Sequence, residues 1–403
     1  MNMIQREKYI EKLKALRGQH IIKVITGIRR SGKSTLMQLF QTYLLNDGIS
    51  KEDIVSMNFE ERENASFNDW KDVYDNIIER ITTNGTHYVF LDEVQILPNF
   101  ERLIDALYVR ADIDLYVTGS NAYLLSSEIG TLLSGRYIAI NMRPFSFCEY
   151  VEAFGGDNNA DRLFRQYMNN SSFPEAVNLW KSAPELSNDY LRALYETVVV
   201  KDIVKRHHLR KFDTLQRIVN FLFDNIGSVV SPNNIADTIS RLTGENLSHN
   251  TVQKYISFFT ESYLIYPVKL YNIKGKRLLN ANYKYYVVDL GFRNILQTNN
   301  PDMDLGHKLE NVVYFELLSR GGEVFAGRME DKEVDFIVQK YNGQREYYQV
   351  SYTVNDEKTL KREISSLIRI RDAYPKYLLT FDYDETNIDG IQKMNVVDWL
   401  LRK

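Results

Sequence analysis

The 403-residue chain has one cysteine, Cys148. A single thiol excludes an intrachain disulfide and any cysteine cluster for zinc, and it suits a reducing compartment. The six histidines show no metal-ligand spacing, and His207 and His208, in KRHHLR, read as part of a basic surface. No apolar run approaches the ~18 residues of a membrane span. The opening MNMIQREKYIEKLKALRGQ carries charge where a signal peptide needs an apolar core. A cytoplasmic protein without membrane contact is the expectation. Internal repeats and low-complexity stretches are also lacking.

What is present is ordinary for a globular chain: 44% hydrophobic and 26% charged residues. The length calls for two or three domains. The formal net charge of −3 is unevenly spread. Lys201 to Lys284 holds thirteen Lys/Arg against six Asp/Glu, a local excess of seven that leaves −10 for the rest.

From about residue 20 to 145, the apolar runs HIIKVIT, DIVSMNFE, HYVFLDE, DLYVTGS and YIAINM alternate with helical periodicity in STLMQLFQTYLL, WKDVYDNIIERI and FERLIDALYVRA. This predicts a parallel sheet covered by helices on both faces, the α/β class. Residues 146–205 read as a helical lid or linker. Residues 206–300 read as three helices followed by strands, with Ser231 before Pro232 and Ser248 as helix starts. Residues 301–403 read as a second, smaller α/β unit.

Chemistry concentrates in GIRRSGKST. Gly27, Ile28, Arg29, Arg30, Ser31, Gly32, Lys33 and Ser34 fit GxxxxGK[ST], with a strand before and a helix after, and Thr35 continues the helix. Glycines let backbone N–H groups face phosphates, and the helix N-terminus adds its positive end. Lys33 would pair with the β and γ phosphates and Ser34 would offer a hydroxyl to Mg²⁺. Arg29 and Arg30 occupy variable positions that this chemistry leaves unexplained. They could point to the γ phosphate, or reach the lid or the basic C-terminal half.

The partner motif should close a neighbouring apolar strand, and THYVFLDEVQ supplies it. Asp92 would join the Mg²⁺ shell, and Glu93 would orient and activate the attacking water. DLYVTGSN ends another strand with Thr118, Gly119, Ser120 and Asn121, one of which could sense the γ phosphate, Ser120 and Asn121 being the candidates singled out; a strand-ending turn is the alternative. Arg136, in LLSGRYIAI, could complete the γ-phosphate site in cis or from a neighbouring subunit of an oligomer.

GIRRSGKST, FLDEVQ, YVTGSN, LSGRYI followed by NMRPFSFCEY, and SFPEAV together resemble the prokaryotic AAA-type ATPase family whose C-terminal half is a domain of unknown function. The resemblance spans nearly the whole chain. It implies a RecA-like sheet and carries over Lys33, Ser34, Asp92 and Glu93 as the ATP and Mg²⁺ machinery. One departure is NNSSFPEAV, where such proteins often have a glycine pair.

The basic segment looks like a winged helix. SHNTVQKYISFF is its candidate recognition helix, with Ser248, His249, Asn250, Thr251 and Lys254 facing a duplex DNA groove and Lys274, Lys276 and Arg277 on phosphates. A protein-contact module is the alternative. The last domain resembles a restriction-endonuclease-like core. Glu310 and Asp335 are in place, but the Glu-x-Lys position reads Gln349, Val350, Ser351, so no lysine is expected to stabilise an attacking hydroxide. A degenerate binding or scaffolding domain follows from that.

The combined expectation is Mg²⁺-dependent ATP hydrolysis in residues 1–145, coupled to C-terminal modules that act on DNA or a protein. The rivals are a non-hydrolysing nucleotide switch and an ATP-gated nuclease.

Overall fold

A computed structural model describes residues 3–64, 67–119, 135–156, 159–209, 211–297 and 304–402. The chain divides into two compact units, residues 1–144 with 261–263, and residues 145–260 with 264–403.

The first unit runs α1 (Glu7–Leu16), β1 (Ile22–Thr26), α2 (Lys33–Asn46), β2 (Ile54–Asn58), α3 (Trp70–Arg80), β3 (His87–Asp92), α4 (Phe100–Tyr108), β4 (Ile113–Gly119) and β5 (Tyr137–Asn141). Each strand predicted from an apolar run is present. They pair in parallel in the order β2-β3-β4-β1-β5. β1, β3 and β4 are buried end to end, which is why they read as unbroken apolar runs. Successive side chains leave opposite faces. Val24, Leu91 and Leu115 pack with Val73 and Ile77 of α3 and Leu103 of α4. Ile25, Phe90 and Tyr116 pack with Leu13 of α1 and Leu36 and Phe40 of α2.

One expectation needs correcting. The strand that ends in Asp92 does not neighbour β1, because β4 lies between them. A buried ion pair specifies this adjacency. Lys23 of β1 is bonded to Asp114 of β4, which also accepts from the Tyr116 hydroxyl and the Gly18 N–H, both at 2.9 Å. Two ionised groups this deep are tolerable only together, since either alone would lack compensation for its lost water.

The second unit contains α5 (Phe147–Ala153), α6 (Ala160–Asn169), α7 (Pro174–Ser182), α8 (Pro184–Thr197), a π-helical stretch over Val198–Lys205, and α9 (Phe212–Asp224). β6 (Val229–Val230), α10 (Pro232–Thr243), α11 (His249–Glu261), β7 (Ile265–Asn272), β8 (Arg277–Val287), α12 (Leu290–Leu296) and α13 (Leu305–Arg320) come next. The chain closes with β9 (Glu323–Met329), β10 (Lys332–Gln339), β11 (Arg345–Ser351), α14 (Glu357–Ile368), β12 (Lys376–Thr380), β13 (Thr386–Ile388), β14 (Ile391–Asn395) and α15 (Val396–Leu401).

Residues 206–300 and 301–403, predicted as separate domains, share one sheet of order β13-β14-β12-β11-β10-β9-β7-β8-β6. β7 joins β9 in parallel, with Leu270 opposite Ala326 and Asn272 opposite Arg328. Local periodicity carries no trace of a pairing between strands separated in the chain by β8 and two helices.

The predicted lid segment falls in this unit as well. Ser172 donates through its N–H and its hydroxyl to Asp289, at 2.7 and 2.6 Å. The serines of NNSSFPEAV are thus buried anchors for a buried carboxylate. Among the described residues no helix is long and apolar enough to cross a membrane.

Candidate nucleotide site

β1 delivers the chain to Gly27, whose φ of 143° lies where only glycine rests easily. A Cβ there would sit 2.0 Å from the Met142 carbonyl oxygen, so glycine is also required by space. Ile28 is fully buried and anchors the loop. Arg30 takes a left-handed φ of 66°, and Gly32, at 103°, opens α2. The turn ends with Lys33, Ser34 and Thr35 in the first turn of α2, where N–H groups lack intrahelical partners and can receive an anion.

Lys33 is buried. Its ammonium donates to the Gly27 carbonyl at 3.2 Å and the Ile28 carbonyl at 3.4 Å, and meets Glu93 Oε1 at 3.5 Å. Burial holds its pKa below the ordinary lysine value, with Glu93 and Asp92 pulling the other way. The Ser31 hydroxyl is buried without a partner among the described residues. A cradle that excludes a Cβ, a buried cation and an orphaned hydroxyl fit a polyphosphate.

Asp92 and Glu93 close β3, both nearly buried. Glu93 turns the chain at φ 52°. Between this pair and the loop stands Thr118, at the end of β4. Its hydroxyl donates to Asp92 and accepts the Glu93 N–H at 2.9 Å. Gln95 Nε2 donates to Glu93 Oε2 at 2.5 Å. Asp92 and the Ser34 hydroxyl are hard oxygen donors of the kind Mg²⁺ takes, and would hold it beside the phosphates.

Of the residues named from the motifs, Lys33 meets Glu93, while Thr118, weighed only as one of several possible γ-phosphate sensors, bonds Asp92 and the Glu93 backbone. The signal was a threonine closing an apolar strand. Ser120 and Asn121, the predicted sensors, lie outside the described residues. Arg29 meets Glu60, beyond β2, at 3.3 Å, whereas Arg30 is exposed.

Arg136 lies beside the start of β1, the opposite end of that strand from the phosphate loop. It precedes β5, which runs parallel to β1 with Ile22 opposite Tyr137 and Thr26 opposite Asn141. Five residues of strand, about 16 Å, separate it from the phosphate loop of its own chain. There it pairs with Asp105 at 2.6 Å, exposed to solvent.

In the second unit, Ser248, His249, Asn250 and Lys254 are exposed and Thr251 is half-buried at the start of α11. Lys276 and Arg277 are exposed, and Lys274 pairs with Glu330 at 2.9 Å. His207 is not a surface cation. It stacks on Phe258 with ring centroids 3.6 Å apart, and burial, then Arg206 and Lys254, lower its pKa to about 4.

Glu310 and Asp335, the candidate nuclease-like pair, share a lysine outside the Glu-x-Lys position. Lys284 of β8, buried, meets Glu310 at 2.9 Å and Asp335 at 3.5 Å. The Tyr286 hydroxyl donates to Glu310 at 2.5 Å and the Val350 N–H to Asp335 at 2.8 Å. Gln349 turns to Glu363 at 3.1 Å and Ser351 to the Thr353 carbonyl at 3.2 Å, so neither joins the pair. The lysine comes from a strand that no motif places near Glu310. Among the described residues no group of three His, Cys, Asp or Glu side chains could hold a metal.

A phosphate loop, a buried lysine and an acidic pair on a five-stranded parallel sheet define a P-loop NTPase core of the AAA type. Residues 19–151 match a family described as an AAA domain, and residues 161–303 one described as a domain of unknown function (DUF8612). An uncharacterized protein of Haemophilus influenzae is 36% identical over 407 residues, 99% of both chains. An uncharacterized protein of Methanocaldococcus jannaschii is 26% identical, covering 94% of this chain and 85% of that one. The chain belongs to this AAA-type ATPase family. A Walker-type ATPase of Pyrococcus abyssi is 16% identical, with a TM-score of 0.47 over 73% of this chain and 96% of that one.

Proposed function

We propose that the chain hydrolyses ATP with Mg²⁺ and couples this to a C-terminal module that binds duplex DNA. The observation that carries the hydrolytic reading is the meeting of Lys33 and Glu93 at 3.5 Å, which sets the phosphate-binding cation beside a carboxylate able to serve as base. Bound Mg²⁺ would neutralise charge developing on the phosphate oxygens. Lys33 and the loop N–H groups hold the β and γ phosphates. Glu93 takes a proton from water as its oxygen attacks the γ phosphorus in line. The bond to the bridging oxygen breaks and ADP leaves with the electron pair. A non-hydrolysing switch would have no use for Glu93 at that spot. Glu93→Gln should slow phosphate release by about 10²- to 10⁴-fold and keep nucleotide binding, whereas unchanged release would defeat the reading.

The element order α9, β6, α10, α11, β7, β8 supports a winged helix within residues 206–300. Exposed polar residues at the start of α11 and the local excess of seven positive charges support DNA as the partner. ATP turnover with and without duplex DNA, at two salt concentrations, tests this. Stimulation that fades as salt rises supports phosphate contacts, and no stimulation points to a protein partner.

Residues 301–403 serve as a scaffold in this reading, with a restriction-endonuclease-like core. Lys284 already occupies the ground between Glu310 and Asp335. Arg136 would act on the nucleotide of a neighbouring protomer, since it lies far from its own loop.

A further inference from the structure

Thr118, Lys33 and Gln95 all bear on Glu93. Its N–H is fixed by Thr118, its Oε1 faces Lys33, and its Oε2 accepts from Gln95 Nε2 at 2.5 Å. The contacts differ in what they would do during turnover. Lys33 is needed by the phosphates once nucleotide arrives, so its hold on Glu93 weakens at the moment the carboxylate must be aimed. Gln95 has no competing duty. It stands two residues beyond Glu93 in the 3₁₀ turn Val94–Ile96, a rigid local link.

The other end of the same carboxamide matters as much. Gln95 Oε1 is buried and has no hydrogen-bond partner among the described residues. A carbonyl oxygen of this kind is costly to bury unsatisfied, and it marks a site where one donor is missing. Water is the donor that the proposed reaction brings next to Glu93.

We propose that Gln95 is the positioning residue for the hydrolytic base. Its amide N–H fixes Glu93 Oε2, and its carbonyl oxygen accepts one hydrogen of the attacking water while Glu93 accepts the other. The water is then held at two points, with a lone pair on its oxygen directed at the γ phosphorus. As the P–O bond forms, the proton facing Glu93 passes to the carboxylate, the β–γ bridging bond breaks, and ADP and phosphate result. Gln95 gains and loses no proton. This rests on the hydrolytic reading above.

The test is a kinetic cycle on the full chain with ATP and Mg²⁺, using wild type, Gln95→Met, Gln95→Glu, Glu93→Gln and Glu93→Gln/Gln95→Met. Gln95→Met keeps the side-chain length and removes both polar atoms. It is expected to lower kcat by about 10- to 100-fold, a part of what a positioned base contributes, with KM and nucleotide affinity within about threefold. Gln95→Glu cannot donate to Glu93 when ionised and should lower kcat similarly. In the Glu93→Gln background, Gln95→Met should have no further effect on single-turnover hydrolysis, because residues that act through one group are not additive. A merely structural role would instead raise KM as kcat falls, or multiply with Glu93→Gln, and either result overturns the inference. Unchanged kcat in Gln95→Met overturns it as well and leaves the hydrolytic reading standing. Absence of phosphate release from wild type overturns both.

Discussion

The Thr118 hydroxyl accepts the backbone N–H of Glu93 at 2.9 Å while donating its own proton to Asp92. One side chain on β4 therefore bonds both the carboxylate that ends β3 and the backbone of the residue that follows it. This depends on β4 being inserted between β1 and β3.

Thr118→Val keeps the shape and removes both bonds. A buried carboxylate and a buried N–H lose a partner, so stability should fall by about 1–3 kcal/mol and turnover should fall with it. Thr118→Ser should retain most of both. Denaturant unfolding and phosphate release read the two effects separately.

Gly27→Ala would push a Cβ to 2.0 Å from the Met142 carbonyl oxygen at a φ of 143°. The backbone must shift, at a cost of about 3 kcal/mol or more, and the loop N–H groups shift with it. A lowered thermal midpoint together with lost nucleotide binding is expected.

Arg136→Ala should leave ATP binding to the isolated chain unchanged, because the residue lies beside the end of β1 opposite the phosphate loop. Turnover should drop if neighbouring protomers share sites. Mixing Arg136→Ala with Glu93→Gln should then restore activity, since one variant supplies the arginine and the other the base. Failure of the mixture to gain activity would remove Arg136 from the site.

The Lys284 cluster predicts a pH dependence. Burial, then the charge of Glu310, raises the Asp335 pKa from 3.8 to about 7. Burial pulls the Lys284 ammonium down, but Glu310 and Asp335 outweigh it and the net shift is upward. The folded chain thus keeps a proton on Asp335 that the unfolded chain releases above about pH 4. The stability this group contributes falls as pH rises from about 4 to 7, and is level beyond. Asp335→Asn should flatten the thermal midpoint across that window. Lys284→Met, which leaves two carboxylates without their cation, should cost about 3–5 kcal/mol at pH 8.

With Lys284 bonded to both carboxylates, plasmid incubated with Mg²⁺ or Mn²⁺ and ATP should stay intact. Cleavage that Asp335→Ala abolishes would make the C-terminal unit a nuclease.

The five strands of the first unit and the phosphate loop were legible in the sequence because their signals are local. A strand covered on both faces reads as an apolar run, and a phosphate loop needs its glycines and lysine within one turn of chain. The single sheet of the second unit was not legible. Its β7 pairs with β9 through backbone groups that any residues could supply, so the sequence had suggested a boundary where the sheet continues. The serines of SSFPEAV looked like a local departure, yet Ser172 serves Asp289, far along the chain.

By itself the sequence determined the phosphate loop, since that motif is written in contiguous residues. Only the tertiary structure decided which side chains would meet across strands. Lys23 and Asp114 are buried together where β4 lies beside β1, and the pairing of β4 with β3 brings Thr118 to Asp92 and Glu93. Likewise, strand pairing brings Lys284 to Glu310 and Asp335. Each of these meetings joins a buried charge or polar group to a distant partner. Burial makes the pairing obligatory, but the chain order does not say which partner it will be.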